Sequence, residues 1–468
     1  MPARRAAGWA LTKALGFCLA ACALMASCAG IPSLVPDLAR PFGQAVRIEG
    51  ARGPLSLAQS QAVVASLRGR RPDANALDRH LAIEEALVGS PLTTGNEVLL
   101  LQDGPATYQA MFEAIQSARD HIHLETYILD DDEVGQRFAR ALIDKQREGV
   151  QVAVLRDSAG TFNTPAAFFE NLAAHGVQVL EFNPLNPLAT RKEWELNQRD
   201  HRKLLVVDGR IAFLGGINIS SVYSSGSFKT GTRRDAANGP TWRDTDLRLR
   251  GPVVGELQKL FLAAWASQQG PALAERAWFP PPEPAGRLVV RAIGSSPEEP
   301  YSLIHATLLS AIDNAETSIQ ITNAYFAPEP RLLDALEAAA RRGVAVRLIL
   351  PGQTDSWLVL HAGQGHYERL LGAGVRIFER RGVILHAKTA LVDGVWATVG
   401  STNLDWRSVL HNHELDAVVL GGEFGAQVQA MFDRDLAASD EVEPNAWSQR
   451  GLAPRLKEWF GGLWAYWL

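Results

Sequence analysis

From Gly95 onward, the apolar positions of this chain switch between two periods. Val98 to Leu101 is a short apolar run of strand character, and Tyr108 to Arg119 spaces its apolar residues as an amphipathic helix does. His121 to Ile128 alternates like a half-buried strand. Val134 to Glu148 returns to helical spacing, and Val150 to Leu155 is a buried-type strand that runs into Arg156 and Asp157. Strands and helices in turn predict an α/β fold, with a sheet covered by helices.

The pattern then returns. Ala114-Ile115 and Ala118 before Ile122 match Ala311-Ile312 and Ala315 before Ile319. Gly149-Val150-Gln151-Val152 matches Gly343-Val344-Ala345-Val346, and Phe169-Glu170-Asn171-Leu172 matches Tyr367-Glu368-Arg369-Leu370. The pairs keep their order at separations of 194 to 198 positions, which marks an internal duplication. Two halves are expected, at 95–270 and 287–440. Between them, residues 271–286 carry Pro271, Pro280, Pro281, Pro282 and Pro284, a linker or surface crossover. The first half has an additional aperiodic stretch, Ser220 to Pro240. It reads either as a mobile loop near the site or as an insertion without function.

The first residues have a different character. Arg4, Arg5 and Lys13 flank the apolar run Ala14 to Ser27, which is short for a membrane span. Small residues precede Cys22 and Cys28, so residues 1–28 predict a lipoprotein-like signal cleaved at one of the two. An ordinary signal peptide or an uncleaved anchor are the other readings. An exported, membrane-anchored protein facing the periplasm is the expectation. No cysteine follows Cys28, which excludes a disulfide framework or a cysteine zinc site from the body. Residues 29–94 show no motif apart from a helical Leu81 to Val88, and are expected to be a spacer. Residues 441–468 form a tail with Trp459, Phe460, Trp464, Tyr466 and Trp467 beside Lys457, a composition suited to a bilayer interface or to docking on the protein itself.

The densest repeat is chemical. His201-Arg202-Lys203, Asp208 and Gly215-Gly216-Ile217-Asn218 recur with identical spacing as His386-Ala387-Lys388, Asp393 and Gly400-Ser401-Thr402-Asn403. Leu204 to Val207 and Thr389 to Val392 are strand-like, and Asp208-Gly209 and Asp393-Gly394 predict two-residue hairpin turns. Residues two apart on a strand share a face, so each histidine points with its lysine. Counting back from the turns puts Gly216 opposite His201 and Ser401 opposite His386, leaving room for a phosphate oxygen beside each ring.

Such a set suits phosphoryl transfer through a covalent intermediate. One imidazole attacks phosphorus while the other protonates the leaving oxygen. Lys203, Lys388, Asn218 and Asn403 would hold the non-bridging oxygens, so no metal or other cofactor is needed. A metal site from His201, His386, His411 and His413 is disfavoured, because the lysines would repel a cation. Asp208 and Asp393 are either catalytic or simply what the turn requires. Asp244 and Glu414, in corresponding places after each hairpin, are candidates to hold the non-attacking ring nitrogen and fix the tautomer.

With both H-x-K-x4-D-x6-G-[GS]-x-N motifs in place, the chain resembles the phospholipase D superfamily. Gly216 departs from the more common serine. Over Gly95 to Asp435 it resembles bacterial cardiolipin synthases, through Ile122-His123-Leu124-Glu125-Thr126-Tyr127, Trp242-Arg243-Asp244, Thr322-Asn323-Ala324-Tyr325-Phe326 and Asn403-Leu404-Asp405 with Arg407-Ser408. Those synthases commonly have N-terminal membrane helices, which this chain replaces with a signal-like segment. The resemblance implies two pseudo-symmetric α/β halves, each a mixed sheet flanked by helices, with one shared cleft. It implies transfer of a phosphatidyl group between phospholipids, for example two phosphatidylglycerols giving cardiolipin and glycerol. His201 is taken as nucleophile and His386 as acid, although the repeat's symmetry does not decide between them. A hydrolase using water, a nuclease, or a catalytically silent lipid-binding protein are the rival readings. A net charge of -5 offers no global field for nucleic acid.

Overall fold

The computed structural model describes Pro36 and residues 46–67, 75–190, 192–227 and 241–468. The signal-like residues 1–28 and most of the loop 220–240 lie outside the described residues.

The first half contributes β1 (Leu92–Gln102), β2 (His121–Thr126), β3 (Gln151–Asp157), β4 (Gln178–Phe182), β5 (Leu204–Val207), β6 (Ile211–Gly215) and β7 (Thr245–Arg250). They pair in the order β1-β7-β6-β5-β2-β3-β4, antiparallel up to β2 and parallel beyond it. The second half contributes β8 (Leu288–Ser295), β9 (Ser318–Asn323), β10 (Ala345–Pro351), β11 (Arg376–Arg380), β12 (Lys388–Val392), β13 (Trp396–Gly400) and β14 (Asn412–Leu420). Its order, β8-β14-β13-β12-β9-β10-β11, repeats the first in both topology and direction. The duplicated sequence has thus produced a duplicated mixed sheet. β1 and β8 pair antiparallel, which joins the two sheets into one.

Burial follows the predicted periods. β3 is buried at nearly every position, as suits a strand covered on both faces. A core cluster draws on both halves, with Leu214, Leu247, Leu257 and Phe261 beside Ala397, Leu415, Phe424 and Met431. Helices Val253–Ser267 and Gly422–Ala437, one from each half, close over it. The crossover from 268 to 287 has no regular element and is mostly exposed.

Residues 46–67 and 75–91, which carry no motif, fold onto the second half. Ile48, Val64, Leu81 and Val88 enter a core with Leu309, Ile312, Ile319 and Leu336. Buried Glu84 meets Arg291 Nε of β8 at 3.1 Å and accepts from Trp396 Nε1 at 3.3 Å.

Both Asp-Gly turns form, with one residue more than the sequence suggested. Asp208 and Gly209 have φ of 53° and 61°, and Asp393 and Gly394 have 52° and 66°, the left-handed pair of a primed turn. Pairing resumes at Val207 with Ile211 and at Val392 with Trp396, so Arg210 and Val395 are the extra residues. The register therefore shifts by one, and Gly216 and Ser401 fall opposite Arg202 and Ala387 rather than the histidines.

The turn aspartates also receive a different assignment from the catalytic one. Each lies seven positions along an extended run from its histidine, roughly 20 Å of chain. Asp208 accepts from the backbone nitrogens of Arg119, Asp120 and His121 at 2.9, 2.8 and 3.0 Å. Asp393 does the same for Glu316, Thr317 and Ser318 at 3.0, 2.7 and 3.0 Å. Each ties a turn to the start of the neighbouring strand. Asp393→Ala strands those donors and is expected to lower unfolding stability by about 1–3 kcal/mol in a urea titration, with the rate per folded molecule unchanged.

Candidate active site

The halves exchange backbone as well as side chains where the histidines lie. Arg199-Asp200 pairs in parallel with Asn412-His413, and Trp242-Arg243 pairs in parallel with Ile384-Leu385. His201 N donates to His413 O at 2.9 Å, and His386 N donates to Arg243 O at 2.8 Å. Each histidine's main chain is therefore anchored by the other half.

The side chains cross in the same way. His201 Nδ1 lies 3.0 Å from Glu414 Oε2, and His386 Nδ1 lies 2.7 Å from Asp244 Oδ2. Asp244 and Glu414 each lie against a ring, and in both cases it is the histidine of the opposite half. Holding Nδ1 leaves Nε2 of each ring for chemistry. Lys203 Nζ and Lys388 Nζ donate to the carbonyls of His201 and His386.

The space beside the rings is used differently from the expectation. A Cβ at Gly216 would lie 2.2 Å from Asp244 Oδ1, so the glycine makes room for that acid and not for a phosphate oxygen. Ser401, its counterpart, donates its hydroxyl to Glu414. Gly215 and Gly400 face the same constraint, with Asp246 and Asp416 oxygens 2.0 Å from a built Cβ. Asn218 is engaged locally, accepting from Ile128 N at 3.1 Å and donating to Tyr223 OH at 3.0 Å. Asn403 is buried, with its backbone nitrogen donating to Ser408 Oγ at 3.3 Å. His413 does not join the other histidines; its ring packs on Phe182 at 4.9 Å.

Two tyrosines were quoted in the sequence without a role. Tyr127 stands edge-on to His201 with ring centres 5.1 Å apart, and Tyr325 stands likewise 6.0 Å from His386. The lysines lie over the same rings, at 5.2 Å for Lys203 and 6.0 Å for Lys388. The tyrosines are 198 positions apart, the repeat displacement, which was the available signal. Tyr223 and Trp242, at 5.8 and 5.2 Å from His386, have no such signal.

Burial governs the charges. It pushes both imidazoles below their ordinary value, His201 furthest, and nearby lysines push the same way. Lys388 and His386 act on His201, and Lys203 acts on His386, so the four groups form one electrostatic cluster. Burial also lowers Lys203 to about 7 and Lys388 to about 8. The site thus favours a neutral ring, most strongly at His201, beside two cations that titrate near neutrality, while Asp244 opposes the shift at His386. A phosphate anion needs those cations, which are charged below their pKa. Its affinity, measured by calorimetry, is expected to fall as pH rises from 6 to 9. Gly216→Ser should drive Asp244 off His386 and lower turnover at least about tenfold, read in a kcat assay at constant fold content.

A family model described as cardiolipin synthase, PLD-like domain, matches residues 111–227 and 308–436, one segment in each half. A cardiolipin synthase of Geobacillus kaustophilus is 33% identical over 371 residues, spanning 79% of this chain and 72% of that one. One from Listeria monocytogenes serotype 4a is 33% identical over 373 residues, spanning 79% and 75%. The crystal structure of phosphatidylserine synthase from Haemophilus influenzae Rd KW20 is alike in fold, with TM-score 0.57 at 15% identity over 82% of this chain and 96% of that one. With a match in each half and relatives that share a third of its residues over most of its length, the chain belongs to the cardiolipin synthase-like family of the phospholipase D superfamily, and is a phosphodiester transferase.

Proposed function

We propose that the enzyme moves a phosphatidyl group from one phospholipid to another through a phosphohistidine, with two phosphatidylglycerols giving cardiolipin and glycerol. Support comes from the crossed histidine-acid pairs and from the relatives named cardiolipin synthase. In the first step His201 Nε2 forms a bond to phosphorus. The bond from phosphorus to the glycerol oxygen breaks, and that oxygen takes the Nε2 proton of His386, which enters the step protonated on both nitrogens with Asp244 as its counter-charge. In the second step His386 takes the proton of the acceptor lipid's hydroxyl. The new oxygen bonds to phosphorus as the P–N bond breaks, and both rings return to their starting state.

The two rings differ in a way that supports this order. His201 is pushed down by burial and by Lys203, Lys388 and Arg407, with His386 pushing the same way when it is protonated, which favours the neutral form a nucleophile needs. His386 is also pushed down by burial, but Asp244 opposes the shift, which favours a proton on the ring that must donate one. Lys203, Lys388 and Asn403 are the groups assigned to the non-bridging oxygens. Asp244 and Glu414 steady the rings, and the substrate lies at a membrane surface. Export and anchoring through a lipidated Cys22 or Cys28 are part of the same reading.

Phosphatidylglycerol in vesicles, followed by lipid analysis, tests the assignment. Cardiolipin with an equal amount of glycerol is expected. Phosphatidic acid with glycerol would make the enzyme a hydrolase, and no turnover would remove the lipid assignment. His201→Ala should lose at least about a thousandfold in rate, and phosphate label from the donor should accumulate on His201 in His386→Ala.

A further inference from the structure

The C-terminal helix, Leu452–Gly462, docks inside out. Amphipathic helices on a soluble protein turn their apolar stripe to the core. Here Glu458 and Gly461 face inward. Gly461 packs so closely on helix Trp357–Gln364 that a Cβ would lie 2.7 Å from Ala362 N. Glu458 is satisfied there by Arg450, at 2.9 Å from its Nε. The outward stripe is Leu452, Leu456, Trp459 and Leu463, at 79, 63, 65 and 58% exposure. Trp464, Tyr466 and Trp467 continue it, also exposed, and Arg455 and Lys457 flank it.

This tail reaches both walls of the active site. Leu468 O accepts from Arg407 N at 2.9 Å, and Tyr466 packs on Trp406 with ring centres 5.3 Å apart. The Arg407 guanidinium crosses to the first half and donates to Asn197 Oδ1 at 3.2 Å and Asn197 O at 3.1 Å. On the other side Phe460 stands 6.3 Å from Trp357. Two residues before Trp357, Asp355 accepts from Tyr325 OH at 2.7 Å, the ring beside His386. The loop before His201 exposes Leu188, Trp194 and Leu196, and so carries the apolar surface onto the first half.

We propose that the tail and the exposed Leu188, Trp194 and Leu196 form one rim that sinks into the interfacial layer of a phospholipid bilayer, with the histidines facing the headgroups. The inference rests on the lipid-transfer reading for its substrate. Its occupant is set by the page: indole and tyrosyl rings, leucines and flanking basic residues suit an anionic interface. The rim adjoins a site that has to reach a phosphodiester whose acyl chains stay in the membrane. A contiguous apolar patch of this kind marks a partner surface.

The test uses the full chain on vesicles of phosphatidylglycerol and phosphatidylcholine, with brominated acyl chains as a quencher of Trp emission. The wild type should be quenched. The exposed triple variant Trp459→Ala/Leu463→Ala/Trp467→Ala should lose most of that quenching and at least tenfold of its turnover of vesicle lipid. Its turnover of dibutyroyl phosphatidylglycerol, below the micelle concentration, should stay within twofold. Leu188→Ser/Leu196→Ser should show the same split. Unaltered turnover on vesicles, an equal loss on both substrates, or no quenching in the wild type would overturn the rim. The quenching readout needs no turnover, so failure of the lipid-transfer reading is seen separately, as a quenched but inactive wild type.

Discussion

The structure depends on an exchange between its halves: each histidine is contributed by one half, and its acid and its backbone partner come from the other. His201 with Glu414, and His386 with Asp244, are buried pairs whose Nδ1 atoms are fixed across the seam. A buried carboxylate costs free energy unless it is well bonded. The pairing of β1 with β8 and the shared core under helices Val253–Ser267 and Gly422–Ala437 bring the exchange to register. Fold and site are thus one requirement, since the sheet that joins the halves also delivers the acids.

The two pairs are not equal. Glu414 receives the Ser401 hydroxyl and the Asn412 amide as well as the ring. Asp244, one methylene shorter, comes so close to the main chain at residue 216 that only glycine fits. The choice of serine or glycine in the motif is therefore tied to the choice of glutamate or aspartate in the same half, the acid that crosses the seam to the other half's histidine. Gly216 is the complement of a short acid.

Much of this was legible in the chain. The alternating periods, the displacement of the repeat, the Asp-Gly turns and the two acids could be read because each is a local pattern or a repeated one. The register was missed by one residue, since counting from the turn took the loop as two residues and Arg210 and Val395 add a third. The role of Asp208 depends on backbone nitrogens 87 to 89 positions away, which no local pattern reports. Residues 46–67 and 75–94 looked like a spacer because their contacts, such as Glu84 with Arg291, pair single residues about two hundred positions apart. The reversed C-terminal helix was visible as an aromatic tail, but which face it shows is decided by Gly461 against Ala362.

Stitching the site with parallel ladders on both sides has a kinetic consequence. Enzymes that grip a ligand between two bodies commonly swing them apart to let it go. Here such a swing would have to tear main-chain bonds at Arg199 and at Ile384 together, which ties the jaws shut. On the proposed phosphohistidine route the first alcohol leaves before the second attacks, a ping-pong order that suits halves held together in this way.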